Sequence, residues 1–536
     1  MNSDSTLVPR QDDFGFQNWR TLLLVAALTA ASLTPIWITT HFPCQNGPWY
    51  LLQVQMFKEL GNPAFDYAEY YEINWHPKPH MLHSTLILLV SYVVPLLTAE
   101  KVVLSLHAIL IPMSIFYFLS SVAPDRKVLG LLSFLMIHTY VFYRGYHDFT
   151  LSVPLCFFTF AFWYRHREDF KVRHAIVTAI LACLTYLAHL FAFAFLVCAI
   201  GYLRLLETRS LRKAVLAAVY ATWPGLILAV EHFLLLRSKA NWIDAPDTSF
   251  LPFHTSLEYL AYKMFYSASF PAYVVATLPW LWIGYLFCRR LWGMKGEQGG
   301  FSRNLVRDPL LVLMLTVSLG YFFVPYKILG WHYANIRLIP FILGFGIACS
   351  APLSVLNRRA LVRGAFVTTV SLAAFGTYGL LSLKVVEMHR DVEEYVSGIT
   401  AYAGNCTILP ILAENEPFGQ IRPITRCHEY YHMARGGANG YGVAECANTL
   451  VCVWYRKYPV SETFPKYDRQ RAVESMKQIK EIYDYVLLWG EDERTMALLV
   501  DHGFHLQHQN GRLRLFRNKA APVDIAAERR QLDPSG

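Results

Sequence analysis

The sequence predicts a polytopic α-helical membrane protein of about 11 transmembrane helices with a small C-terminal α/β extracytoplasmic domain. Three observations carry that reading. Hydrophobic residues fill 54% of the 536 positions and charged residues only 16%, against about 25% charge in an ordinary soluble domain. Apolar runs of roughly 20 residues, enough to cross a ~30 Å hydrocarbon core, recur as far as position 383. Many of the segments between them are rich in Lys and Arg. The same composition excludes disordered, collagen-like and small disulfide-stapled classes.

Residues 1–19 form a cytoplasmic N-terminus, and the run 20–39 is an anchor, since no small-residue cleavage pattern follows it. Further runs lie at 100–121, 127–143, 148–164, 174–203, 213–236, 271–288, 309–325, 335–352 and 364–383. The basic segments Asp125-Arg126-Lys127, Arg165 to Arg173, Arg204 to Lys213, Arg289 to Arg307 and Arg358 to Arg363 mark the cytoplasmic side by the positive-inside rule. The stretch 174–203 has basic segments at both ends, so it is predicted as two short helices turning near Tyr186–His189. A spanning helix at 81–97 would invert everything after it. That run is therefore predicted as a re-entrant or interfacial helix of the first outer loop, 40–99, within a membrane domain covering 20–384. Residues from about 385 onward then lie outside. The net charge of +9 records this orientation, and no nucleic-acid partner is needed to explain it.

Residues 385–520 change character. Short β-type runs at Thr407–Leu412, Leu450–Trp454, Tyr485–Trp489 and Leu513–Phe516 interleave with helical patterns at Arg471–Ile482 and Glu493–Asp501, which predicts a small α/β domain. A flexible tail, 521–536, follows. Cys406, Cys427, Cys446 and Cys452 fall in this region, as disulfide partners in an oxidising compartment or as free buried thiols.

The sequence contains no phosphate-cradling Gly-rich loop, zinc-protease helix motif, CxxC pair or Asp-x-Asp motif, which argues against transport driven by nucleotide hydrolysis. The polar and aromatic loop 40–83 stands out instead. Asp66, Glu69 and Glu72 are candidates for acid–base chemistry, with solvated surface as the plain alternative. His76, His80 and His83 would share one face of a helix and are a candidate divalent-metal set, although Pro77 and Pro79 oppose a regular helix there. Tyr50 and its aromatic neighbours serve either a site or the interfacial belt. The loop Arg144-Gly145-Tyr146-His147-Asp148 and the segment Tyr326-Lys327, His332 and Arg337 add ionisable groups at span ends, where each costs roughly 2.5–3.5 kcal/mol at membrane depth. Arg337 either pairs with a lipid phosphate or snorkels to the interface. Asp148 is either a functional carboxylate or only a helix N-cap.

The layout resembles the GT-C glycosyltransferases, especially the branch of protein mannosyltransferases and lipid-A aminoarabinose transferases. Asn46-Gly47-Pro48-Trp49-Tyr50 stands where an acidic residue and an aromatic open the first outer loop, and Lys78-Pro79-His80 is similar to the Lys-Pro-Pro element before a membrane-lying helix. Asp148 occupies the acidic position of the next outer loop. Tyr326 to Pro340, ending Asn335-Ile336-Arg337-Leu338-Ile339-Pro340, is similar to the basic segment opening a late span. The resemblance covers about 20–383. It implies inverting transfer of a sugar from a polyprenyl-phosphate carrier to a lipid, glycan or protein acceptor on the outer face of a bacterial-type inner membrane. No cofactor is required by it.

In that scheme Lys78, Lys327 and Arg337 stabilise the departing phosphate, with Asn46, Tyr50 and His147 lining the substrate site. Asp148 is the first choice of base and Glu72 the second, ahead of Asp66 and Glu69. Asn46 is a departure, because an amide does not ionise in the useful range. Either one of those carboxylates takes the role or the protein binds lipid-linked sugar without transferring it. A transport-type or non-catalytic protein handling lipid-linked glycans is the competing reading.

Overall fold

The computed structural model of the protein describes residues 18–520 except 72, 74–75, 239–247, 266–269, 297–299, 329–330, 357–358, 415–416, 418–419 and 439–465. Six helices among the described residues are long and apolar enough to cross a membrane: Trp19–Trp37, Leu96–Val122, Leu190–Thr208, Leu211–Leu235, Phe270–Lys295 and Ala360–Ala401. Shorter apolar helices cover Leu82–Ser91, Val172–Ala188, Pro309–Phe323 and Asn335–Cys349. The helix His147–His166 sits at the centre, against Leu96–Val122, Val172–Ala188 and Leu190–Thr208.

Several predicted spans take unexpected forms. The run 127–143 is a 13-residue 3-10 segment, Pro124–Met136, followed by the single turn Tyr140–Tyr143. At about 2.0 Å rise per residue this winding reaches ~26 Å, as far as ~17 α-helical residues. It is held inside the bundle, where the Tyr378 hydroxyl donates to the Phe134 carbonyl at 2.6 Å. The stretch 174–203 divides into Val172–Ala188 and Leu190–Thr208, with His189 between them in extended conformation, φ −162°. Its imidazole accepts from the Phe191 N–H at 3.0 Å and so starts the second helix. Only the ten residues Leu82–Ser91 of the run 81–97 form one helix, reaching ~15 Å, about half the core thickness. Pro95 then precedes the long helix Leu96–Val122.

The last membrane helix, Arg359–Val396, has 38 residues and measures ~57 Å, so it outruns a ~30 Å core and carries the chain into the C-terminal domain. Two short ribbon strands, β1 (Lys327–Ile328) and β2 (Trp331–His332), precede that helix. The domain holds β3 (Ile408–Leu412), β4 (Tyr485–Trp489), β5 (Phe504–Asn510) and β6 (Leu513–Asn518) in the order β3-β4-β6-β5. β3 runs parallel to β4, and the other pairings are antiparallel. One face, with Leu409, Val486, Leu488 and Phe516, covers Met476 and Ile479 of the helix Ala472–Ile482 and Leu499 of Glu493–Asp501. The other face, with Ile408, Tyr485, Leu487 and Leu515, shares a core with Leu51, Val54, Ile87, Leu88 and Val103 of the membrane domain. The sheet is thus docked, not tethered.

Strand β5 has no counterpart in the sequence reading. His505, Gln507, His508 and Gln509 make it polar, and a register shift between Leu506 and His508 breaks its alternation. Cys406 and Cys427 are both buried. Cys446, Cys452 and the predicted strand Leu450–Trp454 lie outside the described residues, as does the tail 521–536.

Candidate functional site

Asp148 lies in the first turn of His147–His166, and its side chain is buried, 3% exposed. Tyr50, on the helix Gly47–Glu59, bonds its hydroxyl to the carboxylate, and the backbone N–H of His83, on Leu82–Ser91, bonds it too. Oδ1 of Asp148 keeps no hydrogen-bond partner among the described residues. Tyr50 also stacks on His147 at 5.6 Å between ring centres and meets His83 edge-on at 4.9 Å. Behind them a relay runs from His83 Nδ1 to His107 Nε2 (3.3 Å) and from His107 Nδ1 to the Thr150 hydroxyl (3.1 Å). His147 Nε2 bonds the Phe142 carbonyl at 3.2 Å.

The segment Gln45–Gly47 is clamped onto the Arg144–Asp148 loop. Gln45 N–H donates to the Tyr143 carbonyl at 3.0 Å and Arg144 Nη1 donates to Gln45 Oε1 at 2.5 Å. Gly145, at φ +77°, passes so close to Asn46 that a Cβ there would stand 2.8 Å from the Asn46 nitrogen. Asn46 itself precedes the helix Gly47–Glu59 without making a side-chain cap bond. A Cβ on Gly47 would meet Cys44 Sγ at 2.3 Å and Glu100 Oε1 at 3.1 Å. Glu100 is buried, and its Oε2 has no partner among the described residues.

Three cations border this centre. Arg337, on the 3-10 turn Asn335–Leu338, is buried with its guanidinium 5.5 Å from the Tyr146 ring centre and 5.9 Å from that of Phe149. Its charge also reaches Tyr50 and His80. Arg144 bonds Tyr146 from its side chain and lies over Tyr333 at 5.6 Å. Lys263, on the amphipathic helix Phe253–Met264, sits 3.8 Å from the Tyr140 ring centre. Burial, aided by the charge of Arg144, pushes its ammonium down to about 8. None of the three forms an ion pair with a carboxylate among the described residues.

The other nominated residues are distributed around this centre. Lys78 is buried and, with His76, lies beside His232, while His76 Nδ1 is 3.8 Å from Glu231 Oε1. His80 packs edge-on against His189 at 4.2 Å, and burial, with the charges of Arg337 and His232, holds it down to about 3. His76 and His80 both lie near His232, whereas His83 faces Tyr50 and His107, so the three do not converge on one point. The metal expectation fails on geometry because helix begins only at Leu82, after a turn in which His80 has φ +68°. Lys327 is half-buried in β1, with its backbone paired to Ser249 and His332. Asp66 and Glu69 stand apart, next to Phe65 and Tyr67, which bond the C-terminal domain through Gly437 N–H (3.2 Å) and the His432 carbonyl (2.6 Å). Glu69 is exposed, and Glu72 lies outside the described residues.

No protein-family model and no curated protein sequence matches the chain. Solved structures do. ArnT from Cupriavidus metallidurans in its apo state superposes on 94% of this chain and 99% of its own, with a TM-score of 0.55 and 12% identity. The chain has the GT-C fold. The Archaeoglobus fulgidus oligosaccharyltransferase in its apo form superposes on 89% of this chain and 70% of its own, with a TM-score of 0.47 and 9% identity. The GT-C likeness is one of fold, so the chemistry has to be argued from the residues themselves.

Sequence reasoning passed over two groups that the fold brings to the centre, Glu100 and Lys263. Glu100 had a readable signal, since Glu100-Lys101 is a charged pair at the head of an apolar run. Lys263 had none, because a lysine in an amphipathic segment between spans looks like solvated surface.

Proposed function

We propose that the protein is a membrane glycosyltransferase that takes a sugar from a polyprenyl-phosphate donor and passes it to a lipid, glycan or protein acceptor on the extracytoplasmic side of a bacterial-type inner membrane. The reading rests on a buried carboxylate, Asp148, oriented by Tyr50 and the His83 N–H with Oδ1 unpartnered among the described residues, together with three cations around the neighbouring aromatic residues: Arg337 at Tyr146 and Phe149, Arg144 at Tyr146 and Lys263 at Tyr140, none of them in an ion pair with a carboxylate among the described residues. An uncompensated cation set suits an anionic phosphate. A carboxylate with a spare oxygen suits a hydroxyl nucleophile.

In this scheme the acceptor hydroxyl donates to Oδ1 of Asp148, and its oxygen attacks the anomeric carbon as the proton passes to the carboxylate. The bond from that carbon to the phosphate oxygen breaks, and its electron pair stays with the departing polyprenyl phosphate. Arg337, Arg144 and Lys263 offset the charge that develops there. A single displacement of this kind inverts the anomeric centre. Asn46 takes no proton and serves by closing the loop over Gly145.

The test is turnover by the purified protein on a panel of radiolabelled polyprenyl-phosphate sugars. Product formation that drops by roughly 10²-fold or more in Asp148→Asn supports the assignment. Absence of product from the unmodified protein on every donor overturns it.

A further inference from the structure

A second cluster, away from Asp148, joins the start of the first outer loop to the last membrane helix. His41 follows the helix Trp19–Trp37, and His389 and Glu393 stand one turn apart on Arg359–Val396. His41 Nδ1 is 2.9 Å from Glu393 Oε1, and His389 Nε2 is 3.0 Å from the same oxygen. All three ligand atoms lie within 4.8 Å of one another, and no other such trio of His, Cys, Asp or Glu occurs among the described residues. We propose that His41, His389 and Glu393 bind a zinc-class divalent cation that fastens the first outer loop to the last membrane helix.

The hydrogen bonding supports a cation there. The His41 backbone N–H, which can only donate, points at His389 Nε2 at 3.2 Å, so that nitrogen presents its lone pair. The same nitrogen faces a carboxylate oxygen of Glu393 at 3.0 Å. Two acceptors in contact need positive charge between them.

Other acids on this stretch have cationic partners. Lys384 bonds Glu387 at 2.6 Å, and Arg512 bonds Asp391 at 2.5 Å and reaches Glu394 at 3.5 Å. Glu393 has the two histidines alone among the described residues. The opposing charge is Lys101, whose Nζ is engaged by the Thr39 carbonyl. Tyr430 closes one side, edge-on to His41 at 4.8 Å. With metal–ligand bonds of about 2.0–2.1 Å, tetrahedral ligand atoms stand ~3.3 Å apart, so a small opening of the trio admits the ion. Glu393 is half-exposed, leaving the fourth position to water.

The experiment uses the full chain in detergent without a polyhistidine tag, stripped with chelator, reloaded with Zn²⁺ and dialysed, then analysed for metal. The expected result is about one zinc per chain, lost in both His389→Ala and Glu393→Gln and kept in Asp148→Asn, with zinc raising the melting temperature of the unmodified protein and of Asp148→Asn but of neither His389→Ala nor Glu393→Gln. Glu393→Gln keeps the side-chain volume at a half-exposed position, which guards against a folding artefact. No stoichiometric zinc in the unmodified protein means a histidine–glutamate ion pair only and overturns the inference. Zinc retained by both variants, or lost in Asp148→Asn, overturns it as well. Each outcome is independent of whether transferase activity is found.

Discussion

The hydroxyl of Tyr50 is bonded to the carboxylate of Asp148, so a residue of the helix Gly47–Glu59 directly orients one in the first turn of a central bundle helix. The His83 N–H completes the arrangement from a third element. Tyr50→Phe removes one donor from a buried carboxylate while keeping the ring on His147. A hydrogen bond to a charged group contributes about 1.5–3 kcal/mol. The expected outcome is a fall of roughly 10- to 100-fold in kcat with little change in donor KM. An unchanged kcat in steady-state assays would remove Tyr50 from the mechanism.

Arg337 is buried between Tyr146 and Phe149, and this placement distinguishes it from an interfacial arginine. If it holds the donor phosphate, Arg337→Ala weakens binding of free polyprenyl phosphate by at least ~10-fold, measured as inhibition by that product. Arg337→Lys recovers little, because an ammonium lacks the planar face that lies over the aromatic rings. Full recovery by lysine would reduce the role of Arg337 to a point charge.

Lys263 supplies a pH signature. Burial beside Arg144 holds its ammonium down to about 8, below the ordinary 10.5. The phosphate-binding form is the protonated one, so donor KM is expected to rise as pH passes upward through about 8. Lys263→Arg stays charged and should keep a flat donor KM to pH 9. The stability term has the opposite sign. Between about 8 and 10.5 the unfolded chain binds more protons at this position, so the contribution of Lys263 to stability becomes more favourable as pH rises. Denaturation curves of the unmodified protein and Lys263→Met, compared across that window, check the second half.

The C-terminal domain is bound by more than one contact type. Ile408, Leu487 and Leu515 share a core with Leu51, Ile87 and Leu88, and Tyr67 donates to the His432 carbonyl at 2.6 Å. Removing residues 390–536 would bare an apolar face larger than a soluble surface tolerates. Aggregation or loss of a monodisperse elution peak is therefore expected, together with loss of any activity. A truncated protein that stays monodisperse and active would show the domain to be dispensable.

How much of this was readable depends on whether a local pattern or a tertiary meeting decides the residue. Asp148, Arg337 and His147 are ionisable groups at the ends of apolar runs, and the sequence exposes that anomaly directly. The strands Ile408–Leu412 and Tyr485–Trp489 are short apolar runs between polar segments and are equally plain. The histidine relay His83–His107–Thr150 is different, because its members are 24 and 43 positions apart and each alone looks like a satisfied core polar group. The 3-10 span Pro124–Met136 also has no sequence signature, since hydropathy reports burial and length but not winding.

Topology is the premise that places Asp148 and the three cations on one side of the membrane. Reporter fusions at Lys171 and Arg209 test the helical pair that turns at His189, and one at Gly511, in the β5–β6 turn, tests the orientation of the C-terminal domain. The first two are expected to report cytoplasm and the third the extracytoplasmic side. The basic segments flanking the pair, Arg165 to Arg173 and Arg204 to Lys213, require both of its outer ends to lie on one side. Opposite readings at Lys171 and Arg209 would make the pair a single kinked crossing. A cytoplasmic reading at Gly511 would put a spanning segment into 81–97, moving Asp148 to the inner face and removing any extracytoplasmic acceptor.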